Sequence, residues 1–246
     1  MSYTLGRLQD DTSTDTVFSV VPTNTNLGAT AASGFQLGAF GDRPFRADFG
    51  PSEIDIRHNL VISHLAQLPF GRGRKWLSNA NGFVNALFGG YDLAGIAVRR
   101  SGARFNMTAG QDFNDDGAFN DRPALLSGNL SDLYNRSGER TQVLLPATDA
   151  RTRLGVPANV TDPFAQIPRN ALRAPMIRFY DLSLLKRFEL TERVRLVFEA
   201  NLFNAFNLVN FRAPTSDLSS ALFGRTTGSA ATTTPRQLQL GLKLTF

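Results

Sequence analysis

PRQLQLGLKLTF, from Pro235 to Phe246, is the stretch on which the fold turns. From Leu238 onward the side chains alternate without a break. Leu238, Leu240, Leu242, Leu244 and Phe246 fall on one face, and Gln237, Gln239, Gly241, Lys243 and Thr245 on the other. Side chains repeat every two residues along a strand, so this is a strand with one greasy and one polar face. In a soluble sandwich the greasy face would cover a core. In a membrane barrel it would meet lipid while the polar face lined the lumen.

Working back from that stretch, MIRFYDLSLLKRFEL puts Tyr180, Leu182, Leu184 and Phe188 on one face, with Asp181, Ser183 and Arg187 opposite. After the short turn LTER, VRLVFEANLFN places Val194, Leu196, Phe198, Ala200 and Leu202 together. Arg195, Glu199 and Asn201 fall on the other side, among Val197 and Phe203. The pattern predicts a hairpin of two long strands whose greasy faces register together. Phe203, Phe206 and Phe211, where the next loop begins, suit an aromatic girdle. Further upstream, IDIRHNLVISHLAQLPF gathers Ile56, Leu60, Ile62, Ala66 and Leu68 with His58 and His64. It is long enough to cross a bilayer as a tilted strand, which takes about 9–11 residues. No further metal ligands accompany the histidines, so a structural role is expected for them. Phe70 and Trp76, in the turn after this strand, suit an interfacial aromatic belt.

Composition narrows the class. No apolar run among the 246 residues approaches the roughly 18 needed for a membrane helix. The opening MSYTLGRLQDD carries no secretory signal pattern, and with no cysteine there is neither a disulfide framework nor a thiolate metal site. The net charge of +5 comes mostly from arginine, lysine occurring only at Lys75, Lys186 and Lys243. Those arginines are scattered, apart from RGRK at 72–75, and no RNA-binding aromatic motif goes with them, so nucleic acid is not an expected partner. No Ser-His-Asp order, zinc motif or glycine-rich cofactor loop appears, so no enzymatic activity and no catalytic or cofactor-binding residue is expected. Twenty phenylalanines against one tryptophan suggest a large apolar surface.

The connections are uneven. Residues 10–51 and 109–175 are rich in Thr, Asn, Gly, Ala, Asp and Pro and read as long irregular loops, with a third at 207–234. Inside the second, GQDFNDDGAFNDRP aligns Asp112, Asn114 and Asp116, then Gly117, with the first half of a calcium loop. The twelfth position is Pro123, which cannot supply the bidentate carboxylate, although Asp121 lies two residues earlier. A weak calcium site at Asp112, Asn114, Asp116 and Asp121 therefore competes with a plain turn, which the same residue types also make.

Six strands emerge, near residues 2–8, 55–68, 91–108, 177–188, 194–206 and 236–246. The connections run long, moderate, long, short, long, so all the long ones share one end of an up-and-down antiparallel sheet. A soluble sandwich has no reason to sort its loops in this way. The expectation is an all-β chain whose transmembrane strands form part of a large outer-membrane barrel with long extracellular loops. Single-chain bacterial barrels have at least eight strands, and an open sheet would leave backbone groups unpaired in hydrocarbon. Residues 1–246 therefore read as the C-terminal segment of a longer barrel.

Several segments resemble the C-terminal barrel of TonB-dependent receptors, specifically the Oar-like group that carries a carboxypeptidase-regulatory-like domain. They are GPSEIDIRHNLVISHLAQLPFGRGR, DFNDDGAFNDRP, YDLSLLKRFELTERVRLVFEANLFNAFNLVNF and PRQLQLGLKLTF, in the family's order. The resemblance implies a plugged outer-membrane barrel that moves a large solute and is driven by the TonB complex through a part this chain lacks. Leu240, Leu242, Leu244 and Phe246 resemble the signal read by the barrel assembly machinery. Outer-membrane lipid and lipopolysaccharide are the other expected partners, the latter through loop arginines whose guanidinium groups suit phosphate. A non-transporting barrel remnant, serving as a surface adhesion or structural module, is the alternative, and a soluble calcium-dependent binding domain a third.

Overall fold

The structure is a computed structural model that describes residues 1–10, 49–113, 119, 121–160, 165–230 and 233–246. Six strands form one sheet: β1 Ser2–Leu5, β2 His58–Gln67, β3 Tyr91–Arg100, β4 Ile177–Glu189, β5 Arg195–Phe203 and β6 Gln237–Thr245. Every pairing is antiparallel and joins strands consecutive in the chain. This is the expected up-and-down meander. It does not close, because β1 and β6 stand at its two edges. No helix among the described residues is long and apolar enough to cross a membrane.

Register makes one face continuous. Leu196, Phe198, Ala200 and Leu202 of β5 stand opposite Leu244, Leu242, Leu240 and Leu238 of β6. On the other flank Leu182, Leu184 and Phe188 of β4 meet Leu202, Ala200 and Leu196. No described residue covers this face at its edge, where Leu238, Leu240 and Leu242 are 62%, 60% and 70% exposed. A sandwich would have buried them, and a lipid-facing wall leaves them bare.

The opposite face is polar over β5 and β6, where Glu199 stands across from Gly241 and Asn201 from Gln239. Arg195 lies 4.0 Å from Glu189 across the turn, rather than pairing with Glu199 along its own strand. Over β2 to β4 this inner face is mixed, with Val61, Leu65, Ile96 and Val98 among Asn59, Ser63 and Asp181. Apolar residues on both sides explain the poor alternation of β3.

Charges on the greasy face sit at its margins. Arg99 and Arg178 stand opposite each other near the long-loop end. Lys186 lies toward the other end, its Nζ 4.2 Å from the Tyr91 ring centre and 5.0 Å from that of Phe188, donating to the Gly89 carbonyl. The eight steps from Arg178 to Lys186 rise about 20 Å across a bilayer at the usual rise and a tilt of about 40°. With the side chains reaching outward from either margin, that fits an apolar band about 25 Å tall.

β3 ends at Arg100, short of the expected residue 108, because the chain bends to pair Arg104–Phe105 with Leu172–Arg173. The 68–90 connection holds the short helix α1, Gly82–Phe88, whose Asn81 cap accepts the Val84 N–H at 2.9 Å. Phe70 and Trp76 stack at 5.0 Å between ring centres in the turn before it.

The hydrophobic core lies off the sheet. Phe105, Met107, Leu133, Leu144, Ala150, Leu154, Ile167 and Leu172 come from the 101–176 connection, and Leu218 and Phe223 from 204–236. The described part of the stretch expected to be irregular is thus packed. Short pairings such as Ala124–Leu125 with Leu154–Gly155 supply its backbone partners, and together the connections form a cap over one end of the sheet. Most of the first long loop, residues 11–48, lies outside the described residues.

Within the sheet, His64 and Tyr180 share a hydrogen bond of 3.1 Å and stack across Gly95, as His58 does with Tyr3 at 2.7 Å. A Cβ at Gly95 would lie 2.9 Å from both the His64 Nε2 and the Tyr180 hydroxyl. Gly95→Val should therefore push the two rings apart and destabilise the folded sheet by about 1–3 kcal/mol. The denaturation midpoint in detergent checks this, and a midpoint equal to wild type would show that the rings give way freely.

Candidate functional site

Charged side chains gather at the seam where the strands enter the cap. Asp55, in the segment leading into β2, is 2% exposed. Its Oδ1 accepts the Leu8 N–H at 3.0 Å, and its Oδ2 lies 2.5 Å from Arg173 Nη2 and 3.5 Å from Arg104 Nε. Arg173 also donates to the Asp55 carbonyl at 2.9 Å and to the Gly102 carbonyl at 3.1 Å, and Arg104 to the Ala171 carbonyl at 2.8 Å. One carboxylate thus ties together both ends of two connections, 6–57 and 101–176. Burial alone would raise the Asp55 pKa, but the Leu8 N–H and the two guanidinium groups outweigh it and hold the pKa below 3.8. The Arg104 pKa is lowered as well, first by burial and then by the neighbouring Arg173 charge.

A cavity of about 310 Å³ opens at this node, lined by Arg7, Pro51, Asp55, Arg57, Arg104 and Arg173. A second, of about 280 Å³, sits under the 204–236 connection on the inner face, among Phe179, Asp181, Asn204, Asn210, Thr233 and Gln237. Two asparagines build it. Asn210 exchanges hydrogen bonds with the Arg178 backbone at 2.8 and 2.9 Å, as a neighbouring strand would. Asn204, at φ 48°, bonds the backbone of Leu208 and Thr234 through its side chain, while its N–H donates to Asp181 Oδ1 at 2.8 Å. Asparagine tolerates that left-handed conformation better than most residues.

Of the residues singled out for calcium, Asn114 and Asp116 lie outside the described residues. Asp121 is fully buried, and its Oδ2 accepts the Phe113 N–H at 2.5 Å, while Asp112 is half-buried. Among the described residues no three His, Cys, Asp or Glu side chains come together as metal ligands. Leu240, Leu242 and Leu244 stand on the outward face of the edge strand, with Phe246 just beyond its end. The three phenylalanines of the supposed girdle go to different places. Phe203 lines the inner cavity, Phe206 packs against Tyr180, and Phe211 lies under the Arg140 guanidinium. Sequence reading missed the Asp55 node, whose members are separated by 49 and 118 residues. The two acids in GPSEIDIRH, Glu53 and Asp55, just ahead of a membrane strand, are the local signal that could have marked it.

An antiparallel meander with one bare apolar face, charges at its margins and a polar reverse is the wall of a transmembrane β-barrel. Residues 1–239 match the family model described as an outer membrane beta barrel domain, and the chain belongs to that family. Its place is the bacterial outer membrane. No curated protein and no solved structure matches it.

Because the folded-state pKa of Asp55 is depressed, its contribution is full above the unfolded value and is lost as pH falls through the folded one. The cap should therefore weaken on acidification below about pH 3.8. Asp55→Asn should remove that part of the acid dependence and cost on the order of 3 kcal/mol at neutral pH, since it leaves two guanidinium groups without their counter-charge. Denaturation midpoints in detergent from pH 7 to 2.5 measure both effects.

Proposed function

We propose that the chain is part of the barrel of a TonB-dependent transporter that moves a large solute across the outer membrane. The observation that carries this reading is the open six-stranded sheet with its packed cap. β1 and β6 each lack a second neighbour among the described residues, and in lipid such edges require further strands. Large barrels with plugged lumens supply those strands, and their long outer loops meet the solute. The Oar-like resemblance of the hairpin and terminal strand supports the same reading. On it, the plug and the contact with the TonB complex belong to other parts of the assembly, and the chain has no catalytic role. Leu240, Leu242, Leu244 and Phe246 serve as the assembly signal, and the 112–121 segment is a candidate calcium loop. A calcium titration that leaves the melting temperature unchanged would remove the latter.

Mass spectrometry of the mature protein from outer membranes is the direct test. The expected result is a polypeptide carrying a plug domain and further strands ahead of this region. A mature protein of residues 1–246 alone would favour the remnant acting as an adhesion or structural module. Phe246→Asn should lower the amount of assembled protein in the outer membrane severalfold without lowering its synthesis. Normal assembly of that variant would remove the signal assignment.

A further inference from the structure

The cavity at the Asp55 node sets four guanidinium groups around a single carboxylate. Both oxygens of that carboxylate are already engaged, by the Leu8 N–H and by Arg173 and Arg104. Arg7 and Arg57 line the same space and have no hydrogen-bonded or ionic partner for their side chains among the described residues. Among the described residues, the cavity therefore carries an excess of positive charge that no side chain neutralises.

The backbone fixes this crowding. The Gly6 N–H donates to the Arg57 carbonyl at 3.0 Å, and the Ser52 N–H to the Leu8 carbonyl at 3.1 Å. These bonds extend the β1–β2 pairing upward and bring Arg7 and Arg57 alongside each other. From the other flank, the pairing of Arg104 with Arg173 carries two more guanidinium groups to the same spot. Folding thus brings four like charges together, which costs free energy unless a counter-ion returns it.

We propose that this cavity binds a phosphate group, with Arg7 and Arg57 as the primary donors and Arg104 and Arg173 completing the ring. Phosphate fits on chemical grounds. Guanidinium offers paired N–H donors that match two oxygens of a tetrahedral anion, and a dianion answers the surplus of charge. The volume, about 310 Å³, admits a phosphate together with part of the molecule that carries it. Burial first, and then the Arg173 charge beside it, lowers the Arg104 pKa. The node lies at the long-loop end of the sheet, so the phosphate comes either from a lipid headgroup of the outer leaflet or from a soluble phosphorylated compound. The proposal goes beyond transport, since a barrel that carries no solute could equally hold such a group.

The whole chain, folded in detergent or in nanodiscs, allows the test. Inorganic phosphate is titrated by calorimetry in one arm. In the other, nanodiscs with bis-phosphorylated lipid A are compared with nanodiscs whose lipid A has been dephosphorylated. Binding is expected in at least one arm, and the arm that responds identifies the source. Arg7→Ala and Arg57→Ala together should weaken that binding at least about tenfold, the loss expected for charge-assisted hydrogen bonds, while Arg236→Ala should not. Without ligand the double variant should melt no lower than wild type, because neither side chain has a partner to lose among the described residues and the repulsion between like charges is relieved. Absence of binding in both arms would overturn the proposal, and so would unchanged affinity in the double variant. Neither result bears on transport, which is judged by the mature protein's composition.

Discussion

In hydrocarbon, a backbone N–H or C=O has nothing to bond except another strand, and the rest of this structure depends on that constraint. It explains why strands consecutive in the chain pair consecutively, with no crossover to leave a gap. It also explains the strictness of the register. A slip of one residue between β5 and β6 would turn the leucine face of β6 toward the lumen and Lys243 toward lipid. Where backbone groups leave the ladder, side chains take over, as Asn210 does for Arg178 and Asn204 for the loop beyond β5. These asparagines work at the margin of the membrane, where pairing between strands gives out.

The sheet and the cap obey opposite rules. On the outward face of the sheet the apolar residues gain nothing from one another that lipid would not also supply. In the cap, water is the solvent, and Phe105, Leu144, Leu172 and Phe223 are driven inward as in any soluble domain. The Asp55 node lies between the two regimes, where a buried charge is tolerable only with its hydrogen bonds complete. One acid there holds three chain segments, so the loop end is tied down by electrostatics where apolar burial gives way.

How much of this was legible in the sequence follows from the same division. β4, β5 and β6 were legible because lipid on one side and water on the other impose a period of two. β3 was less so, since Val98 and Ile96 put apolar side chains on the face that was expected to be polar. The cap core was invisible, because Met107, Leu133, Ile167 and Leu218 come from short segments with no period, brought together only in three dimensions. The three phenylalanines were legible in part: Phe206 packs on outward-facing Tyr180 and Phe203 faces inward, but once the strand ends alternation no longer says where Phe211 points. The arginine-lined cavity was equally hidden, since its residues come from four separate segments.

A core assembled from two outer connections also dictates where and when it forms. Leu144 and Phe223 come from connections that the paired strands bring together, so the packed cap is completed with the sheet beneath it. Until then its apolar side chains lack their full burial and need shelter. The hydrophobic effect of the cap therefore acts as a clasp on the finished sheet, opposing the separation of the strands that carry it.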